Sequence, residues 1–222
     1  INQVYGIIKS QVVKFKKEEI TTVEALAKAD PNKIKAKINL TTKIKLNKQA
    51  KLQEEKRITG ISKYFFNNTE KDKGFYSMPI PNEGDLFYDI EGLPQGSTRN
   101  FEYLHGIYYN NGGGEKFKYF VVEAYNKNNE RKIFEDLINF FDTHFKKYPN
   151  AFIYHYHHYE TEALKNLASE YSSIFPKGNH LIDNLLRRDK FVDLCRIVTQ
   201  CMQTTEKDLS LKTIEKFYRK NR

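Results

Sequence analysis

The sequence predicts an α/β protein, a mixed β-sheet with flanking helices preceded by a small helical N-terminal region. Three observations carry this. Apolar residues recur near helical spacing through roughly the first 65 positions. From residue 85 the pattern changes to alternating, aromatic-rich segments typical of strands. A long amphipathic stretch then separates those segments from another short strand, as in a crossover.

In the first third, Val12, Val13, Phe15 and Ile20 precede Thr21-Thr22-Val23-Glu24. There Thr21 or Thr22 can cap a helix and Glu24 can sit in its first turn. Leu26 and Ala27 continue the helix, and Asp30-Pro31 stops it. Ile34, Ile38 and Leu40, then Ile44, Leu46, Ala50 and Leu52, supply two further helical segments. Gly60 and the stretch 67–74 break the pattern. Met78-Pro79-Ile80-Pro81 forces extended backbone and sets a boundary between a basic helical region, 1–75, and a second domain, 76–222.

Strands are expected over Asp85–Glu91, Phe101–Tyr109 and Phe117–Tyr125. Asn110-Asn111-Gly112-Gly113-Gly114 reads as a hairpin loop, since a phosphate cradle would need a helix directly after it. Asn129 reads as the cap of a helix carrying Ile133, Phe134, Leu137, Ile138, Phe141 and Phe145 on one stripe, ended by Pro149. Ala151–Tyr156 reads as a strand, Thr161–Tyr171 as a helix, and Leu181–Tyr218 as mostly helical. The order β, β, β, α, β, α, followed by helices, matches a ribonuclease-H-like core.

Composition narrows the class. The chain has 222 residues, enough for one good-sized domain or one domain plus a smaller one. No apolar run approaches the ~20 residues that cross a bilayer, so no membrane partner is expected. Two cysteines, Cys195 and Cys201, are too few for a disulfide framework, and a reducing cytoplasmic setting is expected. The net charge is +9, and all of it lies in residues 1–75, with 17 Lys/Arg against 8 Asp/Glu. Within this region Lys43, Lys45, Lys48 and Lys51 belong to a lysine run uninterrupted by acids. They form either a solvated helical surface or a phosphate-tracking face that binds nucleic acid.

Asp89 and Glu91 are two apart on an apolar, aromatic strand, so their carboxylates project together. Paired carboxylates on a central strand repel and resist desolvation. Hard oxygen ligands on one rigid element are what Mg²⁺ or Mn²⁺ takes. Gly92 and Pro94 end the strand just beyond them. Glu160, at the start of the helix after Ala151–Tyr156, is the third candidate. Taken alone, it is an ordinary first-turn Glu favoured by the helix dipole. His155, His157 and His158 cluster nearby, but 155 and 157 oppose 158 on a strand, so polar packing or substrate contact is the preferred reading.

Five blocks carry a family resemblance: Leu46–Gln53, Pro81–Pro94, Tyr154–Glu160, Phe191–Leu194 and Ser210–Lys212. In this order they resemble a RecB-like nuclease family whose C-terminal portion is a YprB-type ribonuclease-H-like domain. The resemblance implies a DEDD-type, two-metal nuclease of 3′–5′ exonuclease type acting on DNA in preference to RNA. Asp89 and Glu91 correspond to its first motif, and Glu160 to its second, where most such enzymes carry Asp. Asp193 matches a recurrent Asp-Leu without being assigned as a ligand, and Leu93 replaces an acid. The resemblance places the final motif beyond Arg222, so a domain truncated at its C-terminus and a weakly active fragment are expected. It also places a RecB-type nuclease domain upstream of Ile1. Residues 12–30 resemble half of a helix-hairpin-helix DNA-binding unit, with Glu18 and Glu19 where its turn favours Gly. The rival reading is a non-catalytic nucleic-acid-binding or scaffold module.

Overall fold

The computed structural model describes residues 1–67, 70–96, 99–110 and 113–219. In chain order the elements are α1 (Lys9–Lys16), α2 (Val23–Lys28), α3 (Leu40–Thr59), β1 (Tyr64–Phe66), β2 (Leu86–Leu93), β3 (Phe101–Asn110), β4 (Glu115–Val121), α4 (Lys127–Lys147), β5 (Ile153–His155), α5 (Tyr159–Glu170), α6 (Pro176–Arg187), β6 (Phe191–Asp193), α7 (Leu194–Cys201), β7 (Met202–Thr204) and α8 (Leu211–Glu215). The chain divides into two compact units, one formed by residues 1–76 with 198–222, the other by 77–197. Residues 198–222 cluster with the N-terminal residues, because β7 pairs antiparallel with β1 there. No helix among the described residues is long and apolar enough to cross a membrane.

The second unit is an α/β sheet of five strands in the order β4-β3-β2-β5-β6. Its first three strands form an antiparallel meander, and β5 and β6 join it in parallel. This is the mixed sheet anticipated from the sequence, with β2 at its centre. Leu86, Tyr88 and Ile90 of β2 turn inward onto Phe134, Leu137, Ile138 and Phe141 of α4 and onto Leu164 and Leu167 of α5. The buried stripe of α4 is the one its sequence periodicity announces. The helix starts earlier than expected: Asn126, not Asn129, is the N-cap, accepting from the Asn129 N–H at 3.0 Å. Gly84, at φ 92°, opens the sheet; a Cβ there would come within 2.4 Å of the Tyr148 ring. Of the hairpin loop read from Asn110-Asn111-Gly112-Gly113-Gly114, Asn111 and Gly112 lie outside the described residues.

In the first unit, Thr22 caps α2 by accepting from the Ala25 N–H at 2.9 Å. The turn between α1 and α2 carries Glu19 at φ 61°, in the left-handed region, where the helix-hairpin-helix resemblance favours Gly. Along α3 three amides are buried. Asn47 Nδ2 donates to the carbonyls of Leu26, Ala27 and Ala29, gathering the C-terminal end of α2. Gln49 Nε2 donates to the Thr204 carbonyl at 2.9 Å. Gln53 donates to the Gln3 carbonyl and accepts from the Tyr5 N–H. Buried amides of this kind are tolerated because each is hydrogen-bonded. The Leu46–Gln53 block is thus a set of clamps on three remote chain segments.

The stretch read as mostly helical, Leu181–Tyr218, is in fact interrupted by β6 and β7. Both are three-residue strands, too short for alternation to declare itself, and they form because a partner strand is available. Strand β1, equally short, is silent in the sequence for the same reason.

Candidate active site on the central strand

β2 alternates buried and exposed positions, which places Phe87, Asp89 and Glu91 together on the face opposite the helices. The cross-strand partner of Asp89 is Gly106, so no neighbouring side chain on β3 crowds that carboxyl; Glu91 faces Leu104. A β-bulge follows between Glu91 and Gly92. At Gly92 a Cβ would meet Glu102 Oε2 at 2.3 Å and the Tyr159 hydroxyl at 2.4 Å, so a side chain there would push this hydrogen-bonded pair out of place.

Glu160 comes from the other side of β2. The parallel strand β5 ends at His155, and the chain turns through His157 at φ 77° into α5, with Glu160 in its first turn. Glu160 is 5% exposed, an unusual depth for a carboxylate. His155 Nδ1 donates to the His157 carbonyl at 2.6 Å, and the same nitrogen lies 3.5 Å from Glu160 Oε2. That oxygen is buried without a hydrogen-bond partner among the described residues. His157 and His158 are exposed, and their rings lie 4.0 Å apart. Asp193 Oδ1 accepts from the N–H groups of His157, Cys195 and Arg196, tying the β5–α5 turn to the start of α7. One of its two oxygens is engaged in that backbone role.

Burial raises the Asp89 carboxyl above its ordinary range, and the charges of Glu160 and Glu91 push it the same way. Asp89 therefore senses the charges of both the other β2 carboxylate and the buried one of α5. Among the described residues, no group of three His, Cys, Asp or Glu side chains converges closely enough to hold a metal ion. The three are neighbours in one electrostatic environment without forming a finished cage.

Behind this face lies a polar network that no local sequence signal announced, since its members are far apart in the chain. The Tyr159 hydroxyl donates to Glu102 and accepts from Asn100 Nδ2 at 2.7 Å. Burial raises the Glu102 carboxyl. Arg99 binds Glu130 through both terminal nitrogens at 2.7 and 2.8 Å and also pairs with Glu170. Burial would raise Glu130, but the Arg99 guanidinium, the Tyr171 hydroxyl and the Glu102 N–H outweigh it and hold the carboxyl at about 2. The network fixes the strand end and the α5 start, the two elements that carry the acids.

The four candidate lysines lie on α3, in the other unit. At 3.6 residues per turn they spread over roughly 200° of helix circumference, more than one face. Lys43 is half-buried and donates to the Ile34 carbonyl at 2.6 Å. Lys45, Lys48 and Lys51 are exposed, and Lys48 Nζ reaches Asn67 Oδ1 at 3.4 Å.

Compared with known proteins, residues 86–222 match the RNase_H_2 family model, described as RNase_H superfamily. No curated protein and no solved structure matches the chain.

Proposed function

This chain belongs to the RNase H superfamily, and on that premise we propose that it is a metal-dependent nuclease hydrolysing phosphodiester bonds at the exposed face of β2. One observation carries the reading. Asp89 and Glu91 stand side by side on the central strand, and the nearby Glu160 perturbs Asp89 while keeping one of its own oxygens buried and unbonded. Three carboxylates so placed are a costly arrangement for a structural role alone. They suit a hard divalent cation, Mg²⁺ or Mn²⁺, whose oxygen ligands they would be. A cation held there supplies Lewis-acid polarisation of the phosphate and a lowered pKa for a bound water. Asp89 and Glu91 hold their place through the β2 ladder. His155, bonded to the His157 carbonyl, shapes the turn that leads to Glu160, and Asp193 fixes that turn through the His157 N–H.

The finer assignments, a DEDD-type 3′–5′ exonuclease that prefers DNA and works beside a RecB-type domain, belong to the same proposal and rest on the resemblance of the Pro81–Pro94 and Tyr154–Glu160 blocks. The absence of a ready three-ligand group among the described residues favours a second reading, a nucleic-acid-binding module without catalysis. A cleavage assay separates the two. The protein is incubated with single-stranded DNA, duplex DNA and RNA in Mg²⁺, Mn²⁺ or EDTA, beside Asp89→Asn. Cleavage that needs the cation and is lost in the variant supports the nuclease. Binding without cation-dependent cleavage on any substrate supports the module.

A further inference from the structure

The first unit concentrates positive charge and exposed aromatic rings in one place. Residues 1–76 and 198–222 carry 23 Lys/Arg against 11 Asp/Glu, a net +12, whereas the other unit carries 14 against 17. Within the basic unit, Tyr64 and Phe66 of β1 share one side of the β1–β7 ribbon, with ring centroids 5.4 Å apart. Phe217 extends this row beyond Tyr64 at 5.3 Å, and Phe75 extends it beyond Phe66 at 5.5 Å. These rings are not core: Tyr64 is 44% exposed, Phe66 61% and Phe75 52%. Three neighbouring exposed rings, with the half-buried Phe217 at one end, make an apolar patch of the kind that marks a binding face. Cations flank it. Lys48 of α3 reaches Asn67, the residue after β1. Lys216 adjoins Phe217 in the chain, and its charge is felt by Glu206 and Asp208.

We propose that this aromatic row is a docking surface for single-stranded nucleic acid, with bases stacking on Tyr64, Phe66 and Phe75 and phosphates meeting Lys48 and Lys216. Stacked rings within a cationic surface are the general physical solution for binding single strands without reading sequence, because every base has a π-face. A duplex hides those faces and gains only the electrostatic part. The inference rests on the nucleic-acid reading above and names the strand form of the substrate.

The chain contains no tryptophan, so Phe66→Trp installs a single fluorescent reporter within the row. The variant is titrated with oligo(dT), oligo(U) and a duplex of the same length, with binding followed in parallel by anisotropy of the labelled strand. Saturable quenching is expected with the single strands and little with the duplex, one single-strand arm being enough. Adding Tyr64→Ala should weaken single-strand binding at least about 5-fold, as loss of one stacked base does, while Phe66→Tyr in the native chain should retain affinity. If Phe66→Trp does not fold, Phe75→Trp, outside the strand, gives the same readout. The proposal is overturned by no single-strand binding or by binding without quenching. It is equally overturned by quenching that depends on protein concentration alone, which would mean that a second copy covers the row. Cation-dependent cleavage that persists without quenching would remove this surface and leave the nuclease reading standing. Quenching without any cleavage would do the reverse.

Discussion

Asp89 is a carboxyl whose surroundings favour its neutral form, through burial first and then the charges of Glu160 and Glu91. A carboxyl with a raised folded-state pKa binds protons more readily folded than unfolded, so its charged form costs stability near neutral pH, and that cost is relieved as pH falls. Asp89→Asn is therefore expected to raise Tm in cation-free buffer at pH 7 while abolishing cleavage; a lowered Tm would show that Asp89 has a structural role. His105 works with the opposite sign. Fully buried on β3, with Nδ1 against the Tyr88 hydroxyl at 2.8 Å, it is pushed down to about 3 by burial. The unfolded chain binds its proton near pH 6.5 and the folded chain does not. Stability is complete above that value and is lost as pH falls towards 3, by up to about 1.4 kcal/mol per pH unit. His105→Asn keeps a partner for Tyr88 without titrating in this range. Urea unfolding at pH 7.0, 5.5 and 4.5 should show a flatter decline for the variant (about 1.4 kcal/mol less per unit at most), and an unchanged slope would remove His105 from the account. Glu19, held at φ 61°, makes a third case. Glu19→Gly relieves left-handed strain and should stabilise the α1–α2 turn by roughly 1 kcal/mol, measured in the same urea experiment.

Among the elements, α3 shows how much a pattern of apolar residues leaves unsaid. Its helical spacing was readable, and so was Leu46–Gln53 as a resemblance block, but the reason for that block is tertiary. Asn47 holds three carbonyls at the end of α2, and replacing it with Ala leaves buried acceptors unmet at a cost of roughly 1–3 kcal/mol. Thermal unfolding of Asn47→Ala checks this; a Tm unchanged from the native chain would mean that water or rearrangement replaces the amide. The same logic explains what was legible elsewhere. Strand β2 and helix α4 are long, and each buries one face, so alternation and periodicity revealed them. Strands β1, β6 and β7 hold three residues each, and only their partners define them. The Asp89–Glu91 pair could be read from its spacing on one strand. Glu160 was a candidate through its place in the strand order, and the resemblance strengthened it, because a Glu in a first helical turn looks ordinary until the fold buries it. The Arg99–Glu130 and Tyr159–Glu102 hydrogen bonds span 31 and 57 residues and left no local trace. The lysine run was visible as composition, but its division into an engaged Lys43 and exposed Lys45, Lys48 and Lys51 was not.

For the whole molecule, charge is divided between the units: the one with the carboxylate face is slightly acidic, and the other carries the positive excess. On the proposed function, carboxylates without a cation would repel phosphate, and a separate cationic surface would hold the strand by counterion release. Replacing Lys43, Lys45, Lys48 and Lys51 with Gln should lower nucleic-acid affinity and flatten its salt dependence, by about 0.7 in log–log slope for each single-strand phosphate no longer neutralised. Because Lys43 is engaged with a backbone carbonyl, Lys48→Gln alone should account for more of the change than Lys43→Gln. Equal slopes in all variants would make the lysines a solvated face. In the other unit, the proposed function requires Asp89, Glu91 and Glu160 to make a divalent-cation site together. Calorimetric titration of the chain with Mn²⁺ at pH 7, with no nucleic acid present, tests this most directly. The account predicts saturable uptake that Asp89→Asn and Glu160→Gln each weaken at least tenfold, about 1.4 kcal/mol, and that fades as acid protonates Asp89. Uptake unaffected by either substitution, or no uptake at all, would contradict it.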